Sequence, residues 1–190
     1  MNKTKKIIEK YFNHFTSDKD DLECLINQMS LTDDIFDRKN FTGHIVANAL
    51  VLNSNNEILT VFHNTLKMYL QPGGHVDSTD KSVLNASIRE LLEETGISEA
   101  KLDEWHNKSG IPIFIESHKI PPNEKKAEDE HFHHDLLYIF RTDTLQINLQ
   151  LEEVSNYKWT SIDNVLNLNP ESYVGKALTR MIELKIIKIN

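Results

Sequence analysis

The hydrophobic positions of this chain change period several times, and each change marks an element. Ile7, Ile8, Tyr11, Phe12 and Phe15 form a helical stripe over residues 3–16. Leu22, Leu25, Ile26 and Met29, at i, i+3, i+4 and i+7, predict a second helix over residues 19–30. From residue 44 the pattern becomes that of strands. HIVANALVLN and EILTVFH, separated by the turn sequence NSNNE, predict two strands. MYLQ predicts a third extended piece, ended by Pro72-Gly73-Gly74. Residues 81–95 read as a helix, with Gly96 as its left-handed stop. IPIFIESHKI and HFHHDLLYIFRT predict strands on either side of the polar loop PPNEKKAEDE. LQINLQ and NYKWTS predict two more strands, SIDNVLNL a short helix, and ESYVGKALTRMIELKIIK a C-terminal helix. Strands interleaved with helices predict an α/β (α+β) domain with helices on both faces of one sheet.

Composition narrows the classes of partner. The 190 residues carry a formal net charge of −8, which disfavours nucleic acid and anionic membrane, both of which reward a basic face. A polyanionic small substrate stays compatible if metal ions neutralise the repulsion locally. No apolar run approaches the roughly 18 residues a membrane span needs. The opening MNKTKKIIEKYF lacks the apolar core of a signal peptide. A single cysteine, Cys24, rules out an intrachain disulfide, and the expectation is a cytoplasmic protein.

The densest chemistry lies in RELLEETG. On a helix over residues 81–95, Leu84, Ile88, Leu91 and Leu92 share one side, the expected core face. Glu90, Glu93 and Glu94 share the opposite side, close enough to repel one another. Arg89 can pair with Glu93 at i, i+4 but neutralises one acid only. A solvated acidic face is the ordinary meaning of such a run. The other is a hard-cation site, since Mg²⁺ or Mn²⁺ prefers carboxylate oxygens and keeps waters that phosphate oxygens can replace. Glycines just before the helix allow close backbone approach.

The stretch as a whole resembles the signature box of the Nudix hydrolases: Gly, five residues, an acid, seven residues, Arg-Glu, an apolar residue, any residue, Glu-Glu, any residue, Gly and an apolar residue. Here Gly74 opens it and Arg89-Glu90-Leu91 through Glu93-Glu94-Thr95-Gly96-Ile97 match the second half. The first half departs: the acid is Asp80 instead of Glu, and eight residues separate it from Arg89. The resemblance implies a Nudix-type α/β/α sandwich around a mixed sheet over residues 42–190, preceded by a helical extension over residues 1–41. It implies metal-dependent hydrolysis of a phosphoanhydride bond in a nucleoside di- or triphosphate or a nucleoside-diphosphate conjugate. Glu90, Glu93 and Glu94 would hold Mg²⁺ or Mn²⁺, with the Gly73 carbonyl as a further ligand. Arg89 would hold the glutamates in place. Glu153, with Glu152 as competitor, stands where the family often draws a base or a further ligand. The alternative is a catalytically silent Nudix-like module that binds a nucleotide without cleaving it. A homodimer through the N-terminal helices is compatible with the hydrolase reading.

The histidines pose a separate question. If residues 131–137 are extended, His131, His133 and Asp135 share one strand face, and His118 can pair across from them. His44 and His75 are further candidates for the pocket edge. Such a set can contact substrate, ligate a transition metal or make structural hydrogen bonds. His134 would point to the other face. Tyr69 and Trp159 read as packed aromatics, and Lys67 as solvated.

Overall fold

A computed structural model describes residues 2–31, 34–124 and 127–188. The element order is α1 (Asn2–His14), a 3₁₀ turn (Thr16–Lys19), α2 (Glu23–Ser30), β1 (Gly43–Asn53), β2 (Glu57–His63), β3 (Met68–Leu70), β4 (Gly73–His75), α3 (Val83–Thr95), β5 (Lys101–Leu102), α4 (Glu104–Ser109), β6 (Phe114–Ile120), β7 (His131–Thr142), β8 (Val154–Ser161), α5 (Ile162–Leu168) and α6 (Tyr173–Glu183).

One mixed sheet holds the molecule together. Its spine is the long parallel pairing of β1 and β7, in register from Gly43 opposite Phe132 to Asn53 opposite Thr142. Strands β6 and β5 add antiparallel to β7, and β2 and β4 add antiparallel to different stretches of β1. Strands β3 and β8 extend the sheet on β2. Every residue of β1 is buried, which explains why its sequence is nearly continuously apolar. Alternate residues serve two cores. Ile45, Ala47, Ala49 and Val51 join Val83, Ala86 and Leu91 of α3 and Ile8, Tyr11, Leu22 and Leu25 of the N-terminal segment. Leu50, Leu52, Leu137 and Ile139 join Ile162 of α5 and Ala177, Leu178 and Met181 of α6. The sheet is therefore covered by helices on both faces, as the alternation of elements predicts.

The N-terminal and C-terminal helices are clasped around Arg180. Its guanidinium donates to Asp18 Oδ1 (2.8 Å) and to the Tyr11 hydroxyl (2.6 Å), and lies 4.2 Å from the Phe15 ring centre and 4.6 Å from that of Phe114. Tyr11 in turn donates to Asp18 and accepts from the Ile115 amide. Burial pushes the Tyr11 hydroxyl well above its ordinary pKa, so it stays a neutral donor.

Several expectations need correction. Gly73-Gly74 does not end a strand; it forms β4 and pairs with Asn48 and Ala47 of β1. LQINLQ is not a strand. Its backbone is spent on the end of α3, where Asn148 N donates to Thr95 O and Gln150 N to Glu94 O. The second helix begins at Glu23, after the 3₁₀ turn. The C-terminal helix stops at Glu183. Strand β5 and helix α4, with its Asp103 cap on Trp105 N, have no counterpart in the periodicity reading.

Candidate active site

Helix α3 turns a different face to the core than its leucines suggest. Ile88 and Leu92 are 44% and 45% exposed, whereas Glu90 and Glu94 are 8% and 4% exposed. Of the four residues expected to form the apolar face, only Leu91 is buried, with Leu84 partly so. The inward face runs through Val83, Ala86, Ser87, Glu90, Leu91, Glu94 and Thr95. The helix starts where Ser82 caps it, accepting from Asn85 N at 3.1 Å, a contact worth about 1 kcal/mol. It ends at Gly96, whose φ of 69° is the left-handed stop.

The two acids turn inward because β4 gives them room. A Cβ on Gly74 would lie 2.5 Å from Glu90 Oε1, and one on Gly73 2.4 Å from Asn48 Oδ1. Neither position tolerates a side chain without displacing a polar group that the strand packs against. Gly73 N donates to Glu94 Oε2 at 3.1 Å. Strand β4 thus separates two polar clusters, with the α3 carboxylates against Gly74 and the Asn48 amide against Gly73.

Arg89 organises the acids. It donates to Glu90 Oε1 (2.8 Å), Glu93 Oε2 (2.8 Å), the His75 carbonyl (2.9 Å) and both oxygens of Asp80 (2.9–3.3 Å). Asp80 is locked in turn, its Oδ2 accepting from Asp77 N at 2.8 Å. This resolves the displaced acid of the box. The extra residue lies ahead of α3, and Asp80 still reaches Arg89 as its main partner.

The charge remains unbalanced. Burial raises the Glu90 carboxyl above its ordinary pKa despite Arg89, and Glu93 and Glu153 add to the rise. Glu94, with one amide as its hydrogen-bond donor, is pushed up to about 8 by burial and by Glu90, Glu153 and Glu93. Arg89 is driven further toward its charged form, first by Asp80. Glu93 stands half exposed at the rim. Glu153 is exposed and close enough for its charge to reach both buried glutamates; its backbone is held by Asn64 N donating to its carbonyl at 2.8 Å.

The histidines gather on the other side of β4. His44 of β1 lies opposite His133 of β7, which lies opposite His118 of β6. His131 and His75 close the group: ring centres are 4.7 Å apart for His44 and His133, 4.9 Å for His44 and His131, and 5.0 Å for His44 and His75. Burial lowers the His44 pKa and takes that of His133 to about 2. Asp135 shares their strand face but is spoken for, with Oδ1 accepting from Asn48 and Oδ2 2.9 Å from His118 Nδ1. That contact raises the His118 pKa. Gln71 extends the chain by donating to Asn48 Oδ1. Sequence reading missed Asn48 and Gln71, although an asparagine inside a buried apolar strand signals a buried polar partner. His134 does point away, to Ser117 Oγ and Gln28 Oε1. Tyr69 packs on Phe62 with Lys158 over its ring, and Trp159 donates to Leu145 O.

Residues 42–179 match the family model of the NUDIX domain. A curated relative, the probable DHNTP pyrophosphohydrolase of Lactococcus lactis subsp. cremoris (strain MG1363), is 32% identical over 103 residues, 54% of this chain and 57% of the relative. The chain thus matches little more than half of that protein's length. Among solved structures, a NUDIX-family hydrolase from Clostridium perfringens is similar with a TM-score of 0.55 and 22% identity, over 76% of this chain and 98% of that one. The E. coli dihydroneopterin triphosphate pyrophosphohydrolase gives a TM-score of 0.55 at 13% identity, over 74% and 95%. At these identities the structural likeness speaks for the fold. Among the described residues no helix is long and apolar enough to cross a membrane. With the box geometry intact around Arg89 and the family model spanning most of the sheet, the chain belongs to the NUDIX family.

Proposed function

We propose that this chain is a divalent-metal-dependent pyrophosphohydrolase that cleaves a phosphoanhydride bond in a nucleoside di- or triphosphate or a nucleoside-diphosphate conjugate. The observation that carries the reading is the inward pair Glu90 and Glu94, buried against the Gly73-Gly74 stretch of β4, with one arginine shared among Asp80, Glu90 and Glu93. Buried carboxylates normally come paired. An excess of acid at a built cradle fits a hard divalent cation of the Mg²⁺ or Mn²⁺ kind.

Glu90, Glu93 and Glu94 would hold that cation, with the Gly73 carbonyl beside them. When bound, it supplies charge neutralisation for diphosphate oxygens and Lewis-acid activation of water. Arg89 positions Glu90 and Glu93, and Asp80 positions Arg89. Glu153, exposed at the mouth, takes the proton of the attacking water as general base. His118, His44 and the His131–Asp135 face form the substrate side of β4. The curated relative is named a probable DHNTP pyrophosphohydrolase, which supports placing triphosphates of bicyclic nitrogen heterocycles first among substrates to try.

A hydrolysis screen tests this reading. The purified chain meets triphosphates, nucleotide sugars and dinucleoside polyphosphates with Mg²⁺ or Mn²⁺, and product is read as pyrophosphate, phosphate or monophosphate. Turnover that requires the metal and disappears in Glu94→Gln supports it. Tight nucleotide binding without turnover under either metal would replace it with a silent binding module.

A further inference from the structure

Five of the chain's nine histidines, His44, His75, His118, His131 and His133, meet on one sheet face, outside the carboxylate cradle. Three of them, His44, His131 and His133, each bring a ring nitrogen to within 4.8 Å of the other two. We infer that these three imidazoles form a second metal site, for a single borderline divalent ion of the Zn²⁺ class, distinct from the hard cation of the glutamates.

The hydrogen bonds set the ligand atoms. His44 Nδ1 lies 3.3 Å from Asn40 O, and His131 Nδ1 lies 2.6 Å from Asp129 O. A carbonyl oxygen only accepts, so in both rings Nδ1 carries the proton and Nε2 presents a lone pair. Metal-bound histidines are usually oriented in this way, by donating the other ring N–H to a carbonyl or carboxylate. His44 is 1% exposed, and its Nε2 has no hydrogen-bond partner. A buried acceptor left unpaired is costly, and a metal ion removes that cost. His131 Nε2 faces His133 Nε2 at 3.3 Å. Two nitrogens about 2.0–2.1 Å from a tetrahedral Zn²⁺ are separated by nearly that distance.

The site is also built on rigid backbone. His44 and His133 are direct register partners in the parallel β1–β7 pair, and His131 lies two residues along the same face. Neutral nitrogen donors without a carboxylate select Zn²⁺, Co²⁺ or Ni²⁺ over Mg²⁺. Three protein ligands leave a coordination position open, the arrangement in which zinc meets water or a substrate oxygen. The three histidines share their sheet face with the polar chain of Asn48, Asp135 and His118.

The test reads metal content and affinity and is independent of hydrolysis, so it can fail while the proposed reaction stands. The whole chain is stripped with a chelator, kept in excess Mg²⁺, and titrated with Zn²⁺ alone by calorimetry. Bound metal is counted by atomic emission after gel filtration. Wild type and the Glu93→Gln/Glu94→Gln double variant should each bind one Zn²⁺ per chain, whereas His131→Ala and His133→Gln should bind it at least 100-fold more weakly. Co²⁺ in place of Zn²⁺ should give the visible absorption of a nitrogen-ligated, low-coordinate ion, lost in the same two variants. His133→Gln keeps a polar side chain at a partly exposed position, and circular dichroism verifies its fold. If His131→Ala does not fold, the His133→Gln and wild-type titrations decide. A folded wild type that holds no Zn²⁺ at tens of micromolar overturns the inference. So does Zn²⁺ that leaves with the glutamates and stays in the histidine variants.

Discussion

The two clusters divided by β4 handle buried ionisable groups in opposite ways. On the α3 side, carboxylates are crowded beyond what one arginine can neutralise, and Glu94 is pushed up to about 8. On the other side, imidazoles are crowded until they give up their charge, and His133 falls to about 2. Burial is the largest cause in both cases. It disfavours charge of either sign, so it loads protons onto acids and strips them from bases. The lesson is that one strand of three residues can divide two ionisable clusters whose donor atoms differ in hardness. The acid side has excess negative oxygen and suits a hard cation. The histidine side has neutral nitrogen lone pairs and suits a softer one.

Removing charge from the acid side should have the largest effect. Glu94→Gln or Glu93→Gln should lower kcat by more than the 10–100-fold typical of losing an outer partner of a metal ligand. Steady-state rates of both variants near wild type would break the comparison at its root. Asp80→Asn acts one step out, through Arg89, and should cost roughly 10–100-fold in activity or in Mg²⁺ affinity. Unchanged Mg²⁺ dependence would show that the Asp80–Arg89 pair does not position the glutamates.

Gly74→Ala addresses the strand itself. Its Cβ would meet Glu90 at 2.5 Å, an overpacking expected to cost about 1–3 kcal/mol in thermal or denaturant unfolding. A variant as stable as wild type would mean that Glu90 swings away without penalty.

The titration of Glu94 gives a smaller effect with a definite sign. In the metal-free chain its native pKa of about 8 exceeds the ordinary 4.5. Between these values the native state holds a proton that the unfolded state has lost. Stability should therefore fall as pH rises through that window. Glu94→Gln should flatten the slope, and saturating Mg²⁺ should reduce it. A melting temperature that climbs across the same window, and climbs equally in the variant, would assign the wrong sign to the site.

The least effect is expected where the sequence expected the core. Leu92→Gln, at a position 45% exposed, should change stability by no more than about 0.5 kcal/mol. A larger loss, or a change of mass in light scattering, would mean that this outer face of α3 is covered in solution.

Much of the fold was legible in the chain. Strand β7 was read to the residue, and β1 nearly so, because each carries a long apolar, β-branched or aromatic stretch, as strands buried on both faces do. The signature carboxylates were legible as a group. Their direction was not, because the helical wheel assumes that acids seek water, and here Gly73 and Gly74 open space for them inside. The strand misread over LQINLQ has a similar cause: its alternation is real, but its amides are taken by carbonyls at the end of α3. His131, His133 and Asp135 were placed on one face by period alone. Their union with His44 depends on the parallel register of strands almost ninety positions apart, which no local pattern encodes.

The Arg180 clasp has a consequence for how the chain comes apart. The family match begins at residue 42, yet the charge of Arg180, a residue of the last helix, is neutralised by Asp18, and Ile8, Tyr11, Leu22 and Leu25 lie in the same core cluster as α3. A version trimmed to the family boundary would strip the Arg180 guanidinium, only 14% exposed in the whole chain, of its carboxylate and of the Tyr11 and Phe15 rings, and would open an apolar wall over the sheet. The first forty residues and the NUDIX domain should therefore melt in one calorimetric transition, as a single cooperative unit.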